Sequence, residues 1–329
     1  MAWTDILGHD FAKRLWQMHL ASGTAASAYL LAGPAGVGKR RLALEMAKAL
    51  NCARPSDRPC DVCTSCQQIQ RQVHPDVHVI APSGASEQIK IEDIRQLLGR
   101  IALRPFSANL QVAFLDGAEL LTEEAANSLL KALEEPPAHT RFLLTTTQLS
   151  GCLPTIVSRC QLIRCHPLAS DLVQRILVET HGVEPQVAQT VARLCGGSVS
   201  QALALASRWT AYQQIVAAMA AEDRTAWMVP APTQTRQEVV ELLDGMMRWL
   251  RDVAVAATTD GAPLVHAQHE PAVRRQAAAV DVDRCLSTAL ELWRLRDSLE
   301  QFVSPRLVAA LAREYWLNMT SVECGMRNA

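Results

Sequence analysis

Three groups of residues in this sequence have the types and spacing to do chemistry. The first is Gly33-Pro34-Ala35-Gly36-Val37-Gly38-Lys39-Arg40. Glycines at this spacing let successive backbone N–H groups turn inward as a cradle for phosphate, and Lys39 follows where an amine can reach the outer oxygens. The pattern G-x-x-x-x-G-K-[ST] ends in a hydroxyl that holds Mg²⁺. Here that residue is Arg40, and a guanidinium has donors only. Gly33, Gly36, Gly38 and Lys39 are therefore expected to form a phosphate cradle that is degenerate at Arg40. The second group is Cys52, Cys60, Cys63 and Cys66. Four thiolates can close a tetrahedral Zn²⁺ shell with no position open to water, so the zinc would be structural. His74 and His78 lie close by but are read as a turn and a strand histidine, because the shell is already complete. The third is Asp116, which ends the apolar run Gln111-Val112-Ala113-Phe114-Leu115. This has the form of a strand whose carboxylate sits beside a phosphate-bound Mg²⁺. The next residue is Gly117, where a working ATPase would carry the glutamate that orients water. Glu119 falls on the following turn and is not a substitute.

These residues need elements to hold them. The glycine loop lies between an apolar run, Ala28–Ala32, and a helical pattern from about Lys39 to Leu50. A helix over 9–21 precedes it, with Phe11, Leu15, Met18 and His19 on its apolar face. Strand patterns recur at 77–81, 111–116, 142–147 and 161–163. Between them come helices at 91–101 and 122–135, the latter capped by Thr122 and stopped by Pro136-Pro137. Alternating strands and helices make a parallel, doubly wound sheet, which binds ligands at the carboxyl ends of its strands. All three groups fall there or in the insertion that follows the glycine-loop helix.

Beyond His166 no strand pattern returns. Three short helices fill 167–208, and longer helices fill 209–329. Val239, Leu242, Leu243, Met246, Leu250 and Val253 mark one apolar face, and Leu286, Ala289, Leu290 and Trp293 mark another. Trp209, Trp227, Trp249, Trp293 and Trp316 are read as core or interface residues. An all-helical end with spare apolar surface suits oligomerisation.

The bulk properties narrow the class. The chain has 329 residues with 49% hydrophobic content, enough for two or three packed domains. A formal net charge of −1 argues against a strongly basic nucleic-acid binder. No apolar run approaches the roughly 20 residues a bilayer span needs, and no signal peptide is evident. Ten cysteines, four of them clustered, then read as a cytoplasmic zinc protein rather than a disulfide scaffold.

Two further stretches carry a family likeness. Ala125-Ala126-Asn127-Ser128-Leu129-Leu130-Lys131-Ala132-Leu133-Glu134-Glu135-Pro136-Pro137 and Pro154-Thr155-Ile156-Val157-Ser158-Arg159-Cys160 strongly resemble the clamp-loader branch of the AAA+ ATPases. The four-cysteine insertion is similar to the zinc module of the bacterial clamp loader. The resemblance implies an α/β AAA+ core with a zinc-binding insertion (1–166, insertion about 51–74). A three-helix lid (167–208) and an all-α collar (209–329) would follow it. It also implies that Arg159 serves as an arginine finger at the ATP site of a neighbouring subunit. The expected partners are the other clamp-loader subunits and, through the complex, the sliding clamp and primer–template DNA, with no membrane. Gly197-Ser198-Val199-Ser200-Gln201-Ala202-Leu203 matches the family's sensor-2 segment, but Ser200 stands where its arginine belongs. Thr146 or Thr147 fits the sensor-1 strand end. With Arg40, Gly117 and Ser200 all departing from the pattern, ATP hydrolysis by this chain is not expected, and ATP or ADP binding stays open. An active motor subunit of the same loader is the alternative, favoured by Lys39 and Asp116. A zinc-dependent DNA-binding protein is the third reading.

Overall fold

The structure is a computed structural model. It describes residue 3 and residues 6–54, 58–83, 87–221, 235–259, 261–299 and 303–320. Trp227 and the chain's last nine residues lie outside them. The chain divides into two compact units, Met1–Leu203 and Ala204–Ala329.

The first unit is built on a five-stranded sheet in the order β2-β3-β4-β1-β5. The strands are β1 (Ala28–Ala32), β2 (Val77–Ile80), β3 (Gln111–Asp116), β4 (Thr140–Thr146) and β5 (Gln161–Arg164). Every pairing is parallel. The central strands are apolar without alternation because helices cover both faces. On one face α1 (Asp10–Ser22) and α2 (Lys39–Asn51) pack Trp16, Leu42 and Met46 against Tyr29, Leu31 and Phe114. On the other, α4 (Ile91–Ile101) and α5 (Glu123–Glu134) pack Ile94, Leu97, Leu129 and Leu133 against Leu30, Leu115, Phe142 and Leu144. The insertion between α2 and β2 contains the short helix α3 (Thr64–Gln70). Another short helix, α6 (Pro154–Val157), precedes β5.

One expected face is wrong. Phe11 and Met18 of α1 are exposed, at 68% and 62%, while Ala12 and Trp16 are buried. Trp16 meets the Tyr29 ring edge-on at 4.9 Å. A buried tryptophan withdraws roughly 150–250 Å² from water, on the order of 5 kcal/mol as an upper figure. That outweighs what Phe11 would gain by turning inward in its place.

Helices α7 (Ser170–His181) and α8 (Pro185–Leu194) complete the unit, and α9 (Val199–Ser207) runs across its boundary. The second unit has no strand among its described residues; its α-helices include α10 (Trp209–Ala220), α11 (Arg236–Thr258), α12 (Glu270–Ala279), α13 (Val282–Ser298) and α14 (Pro305–Thr320). Thr235 and Glu238 form a capping box at the start of α11, each side chain bonded to the other's backbone N–H. The α11 face read from sequence is buried, with Trp249 added to it. Trp316 is also buried, but Trp293 is 55% exposed and lies on an outward stripe of α13 with Leu286 and Leu290. The inward face of α13 is Cys285, Thr288 and Leu292. Asp252 of α11 is fully buried and accepts hydrogen bonds from the N–H groups of Val265 and His266 and from His266 Nδ1. Tyr212 shares a 2.8 Å hydrogen bond with His266 Nε2, so the polar chain in this core has partners at every link.

Candidate functional site

The glycine loop is where the sequence puts it, between β1 and α2, and its neighbours hold it closely. A Cβ on Gly33 would lie 2.0 Å from the Cys165 carbonyl oxygen, and one on Gly36 would lie 2.0 Å from Ser200 Oγ. Gly36 also has a φ of 76°, which side chains rarely adopt. The backbone N–H of Val199 donates to Gly36 O at 2.9 Å, so the start of α9 rests on the loop. His9 Nε2 donates to Val37 O at 2.7 Å. Lys39 is buried at 7% exposure and its Nζ donates to Gly33 O and Pro34 O, both at 2.7 Å. Burial pushes the Lys39 ammonium below its ordinary range, while Cys165, Glu119 and Asp116 act in the opposite sense. The amine expected to reach phosphate thus bonds its own loop's carbonyls.

The Arg40 side chain turns towards β3. Its Nη1 lies 2.6 Å from Asp116 Oδ2, and its Nη2 donates to Gln72 Oε1 at 2.9 Å. The hydroxyl of Thr145 donates to the other carboxylate oxygen of Asp116 at 2.6 Å, and Gly117 N–H donates to the Thr145 hydroxyl at 3.1 Å. Parallel pairing of β3 with β4 sets Asp116 beside Thr145. Thr145, not Thr146 or Thr147, is therefore the strand-end hydroxyl on Asp116. Thr146 Oγ1 donates to Gln148 O, and the Thr147 N–H and hydroxyl both donate to Glu119 Oε1. Glu119 lies on the turn that follows β3, as expected. The Mg²⁺ that P-loop folds hold at this place does not fit these residues. Arg40 supplies no oxygen, and both oxygens of Asp116 already have donors.

Arg159 follows α6 and shares no hydrogen bond or ion pair with the glycine loop among the described residues. Its Nη1 donates to Thr155 O at 3.0 Å, and its Nη2 pairs with Glu134 at the end of α5. Ser158 Oγ donates to Thr155 O at 3.1 Å, which fixes the turn that carries the arginine. About a third of the arginine side chain is exposed. The role of Glu134 was missed in sequence because it lies 25 residues from Arg159.

The four cysteines converge, with all four sulfur atoms within 4.8 Å of one another. Cys63 caps α3, its sulfur accepting from Cys66 N–H. Burial opposes ionisation of Cys60, yet the N–H groups of Cys63 and Val62 and the Cys52 thiol bring it down to about 6. Four soft sulfur ligands at this spacing fit Zn²⁺. His74 and His78 stand outside the set. His74 Nδ1 accepts from Asp76 N–H, and its Nε2 lies 3.2 Å from Ser65 Oγ. The insertion is fastened to α2 by Lys48, which pairs with Asp61 at 2.7 Å and with Glu45 at 2.6 Å.

A glycine loop after β1, an acid ending β3 on the far side of β4, this strand order and a helical segment seated on the loop define a P-loop domain of the AAA+ type. Residues 8–169 match the family described as "DNA polymerase III, delta subunit". Over that region, just under half of the chain, the match supports a place in the DNA polymerase III clamp-loader family. It is 40% identical over 153 residues to the DNA polymerase III subunit delta' of Pseudomonas aeruginosa, covering 46% of this chain and 47% of that one. It is 35% identical over 178 residues to the subunit delta' of Bacillus subtilis, covering 54% and 53%. It is also 36% identical over 209 residues to the subunit tau of Escherichia coli, covering 61% and 32%. The chain thus spans about a third to a half of the length of these relatives.

Proposed function

We propose that this chain acts as the delta-prime-type, non-hydrolysing subunit of a bacterial DNA polymerase III clamp loader. It works in the cytoplasm, as a stator in a hetero-oligomeric ring with gamma/tau ATPase subunits and delta. The ring loads the sliding clamp onto primer–template DNA at the expense of ATP. The observation that carries this reading is the Arg40–Asp116 ion pair, in which the residue after the P-loop lysine occupies the acid that would serve a metal. Gly117 and Ser200 support it, because neither can orient water or contact a γ-phosphate as a glutamate or arginine would.

Arg159 is the residue this chain contributes to catalysis, in trans. A guanidinium stays charged and offers planar donors to the charge that develops on a transferring γ-phosphoryl group. Arginine fingers of GTPase systems contribute about 10³–10⁵ in rate. Glu134 and Thr155 hold the guanidinium at the surface, and handing it to a neighbour's nucleotide requires it to leave Glu134. Cys52, Cys60, Cys63 and Cys66 would hold a structural Zn²⁺ whose only contribution is to tie the insertion together. The outward stripe of Leu286, Leu290 and Trp293 suits the collar contacts such a ring needs.

An active gamma/tau-type ATPase is the second reading, favoured by Lys39, Asp116 and the likeness to tau. A zinc-dependent DNA-binding role is disfavoured, since α3 carries no basic residue. Steady-state ATP hydrolysis by the isolated chain separates the first two. No turnover above background is expected; robust turnover that Lys39→Ala abolishes would establish the motor reading instead.

A further inference from the structure

We infer that Arg40 is a tethered cation standing in the metal's place, so that this P-loop excludes divalent metal. Any nucleotide it binds is bound without Mg²⁺. This deepens the non-hydrolysing reading and rests on it in part.

Asp116 has two oxygens, and both are engaged. Oδ2 faces the Arg40 guanidinium and Oδ1 accepts from the Thr145 hydroxyl, each at 2.6 Å. Mg²⁺ requires near-octahedral oxygen ligands, usually with several retained waters. To sit against Asp116 it would first have to displace one cation and then remain close to it. The other fold-determined ligand, the hydroxyl after the P-loop lysine, is the residue that became Arg40. One substitution thus removes a ligand and neutralises the second.

The guanidinium is also held on its other side. Its Nη2 donates to Gln72 Oε1 at 2.9 Å, and Gln72 lies just beyond α3 with a φ of 58°. Cys66, the last of the clustered cysteines, sits on α3 itself. The cysteine insertion therefore helps aim the arginine at the acid, and Arg40 is clamped rather than merely nearby. The phosphate-binding parts are untouched by this. Among the described residues no acceptor engages the N–H groups of Gly36 to Arg40, and Lys39 stays in the loop. The site retains donors for an anion while its metal position is filled by protein.

The test is the metal dependence of nucleotide binding by the intact chain, using fluorescent ADP in Mg²⁺ and in EDTA. For the wild type the two isotherms should coincide, whether they show binding or none. Arg40→Thr frees Asp116 and restores the hydroxyl, and should tighten ADP binding tenfold or more on adding Mg²⁺. Arg40→Ser serves as the second variant if Arg40→Thr loses its native melting transition. Electron paramagnetic resonance of Mn²⁺·ADP should show no protein-bound Mn²⁺ in the wild type and a bound signal in the variant. A tenfold Mg²⁺ effect or bound Mn²⁺ in the wild type would overturn the inference. So would a folded Arg40→Thr indifferent to Mg²⁺. A wild type that binds Mg²⁺·ADP without hydrolysing ATP would sink this inference alone and leave the non-hydrolysing reading standing.

Discussion

Asp76 shows how much one buried carboxylate can decide. It is 2% exposed and accepts from the N–H groups of Phe106, Ser107 and Ala108 at 2.6, 2.7 and 2.8 Å, and from the Ser107 hydroxyl. Burial alone would raise its pKa, but these donors hold it below the ordinary carboxylate range. Its folded value therefore lies beneath the unfolded one, near 3.9. Between the two values the unfolded chain binds more protons, so stability rises with pH there. The contribution is complete above about pH 4 and is lost as pH falls through the folded value. Asp252, lowered by His266 and the N–H of Val265 against burial, adds in the same sense. Asp76→Asn turns an NH₂ group towards backbone donors and should cost about 2–3 kcal/mol at neutral pH. It should also flatten the acid limb of a plot of unfolding free energy against pH, measured by urea denaturation. An unchanged acid limb would mean Asp76 is not the group responsible. None of this was legible beforehand, since Asp76 and its donors are 30 to 32 residues apart. The glycine loop, Lys39 and Asp116 were legible because their signals are local.

At the scale of elements, strands and helices of the first unit fall close to where periodicity put them. What periodicity cannot supply is which side of a two-sided helix is covered. On α1 the exposed Phe11 and Met18 drew the wrong face, and on α13 the apolar stripe with Trp293 points outward. Register is likewise hidden. The pairing of β3 with β4 sets the Thr145 hydroxyl beside Asp116, and no spacing rule does so. The cysteine insertion was the clearest of all, because C-x-x-C steps are a strong local signal. Its short helix α3 cannot bury much surface of its own, so bound metal should hold it. Metal analysis of protein purified without chelator should find about one Zn²⁺ per chain, as four thiolates imply. Stripping it should raise amide exchange across 52–72 while β1, β3 and β4 stay protected. Protein free of metal yet fully protected there would contradict the zinc reading. Loss of the Lys48–Asp61 tether is the route by which such loosening would reach α2.

For the molecule as a whole, the two candidate groups lie in two places. The P-loop keeps its donors but has a protein cation on its acid, and Arg159 sits at a surface turn with no bond to that loop among the described residues. This separation is what the proposed role as a fixed member of a ring requires. The likeness extends to both delta' and tau, in each case over part of the chain. Helices beyond residue 208 were legible as helices, but their partners were not, since an outward apolar stripe does not name what covers it.

The central claim is that Arg159 acts on a neighbour's ATP. It is tested most directly by ATP turnover of the reconstituted clamp loader, with DNA and clamp, using the wild-type chain or Arg159→Ala. The variant should keep its melting temperature and its place in the complex. Turnover at the adjoining site should fall by at least tenfold, a small part of what fingers can contribute. Unchanged turnover by a fully assembled Arg159→Ala complex would contradict the claim.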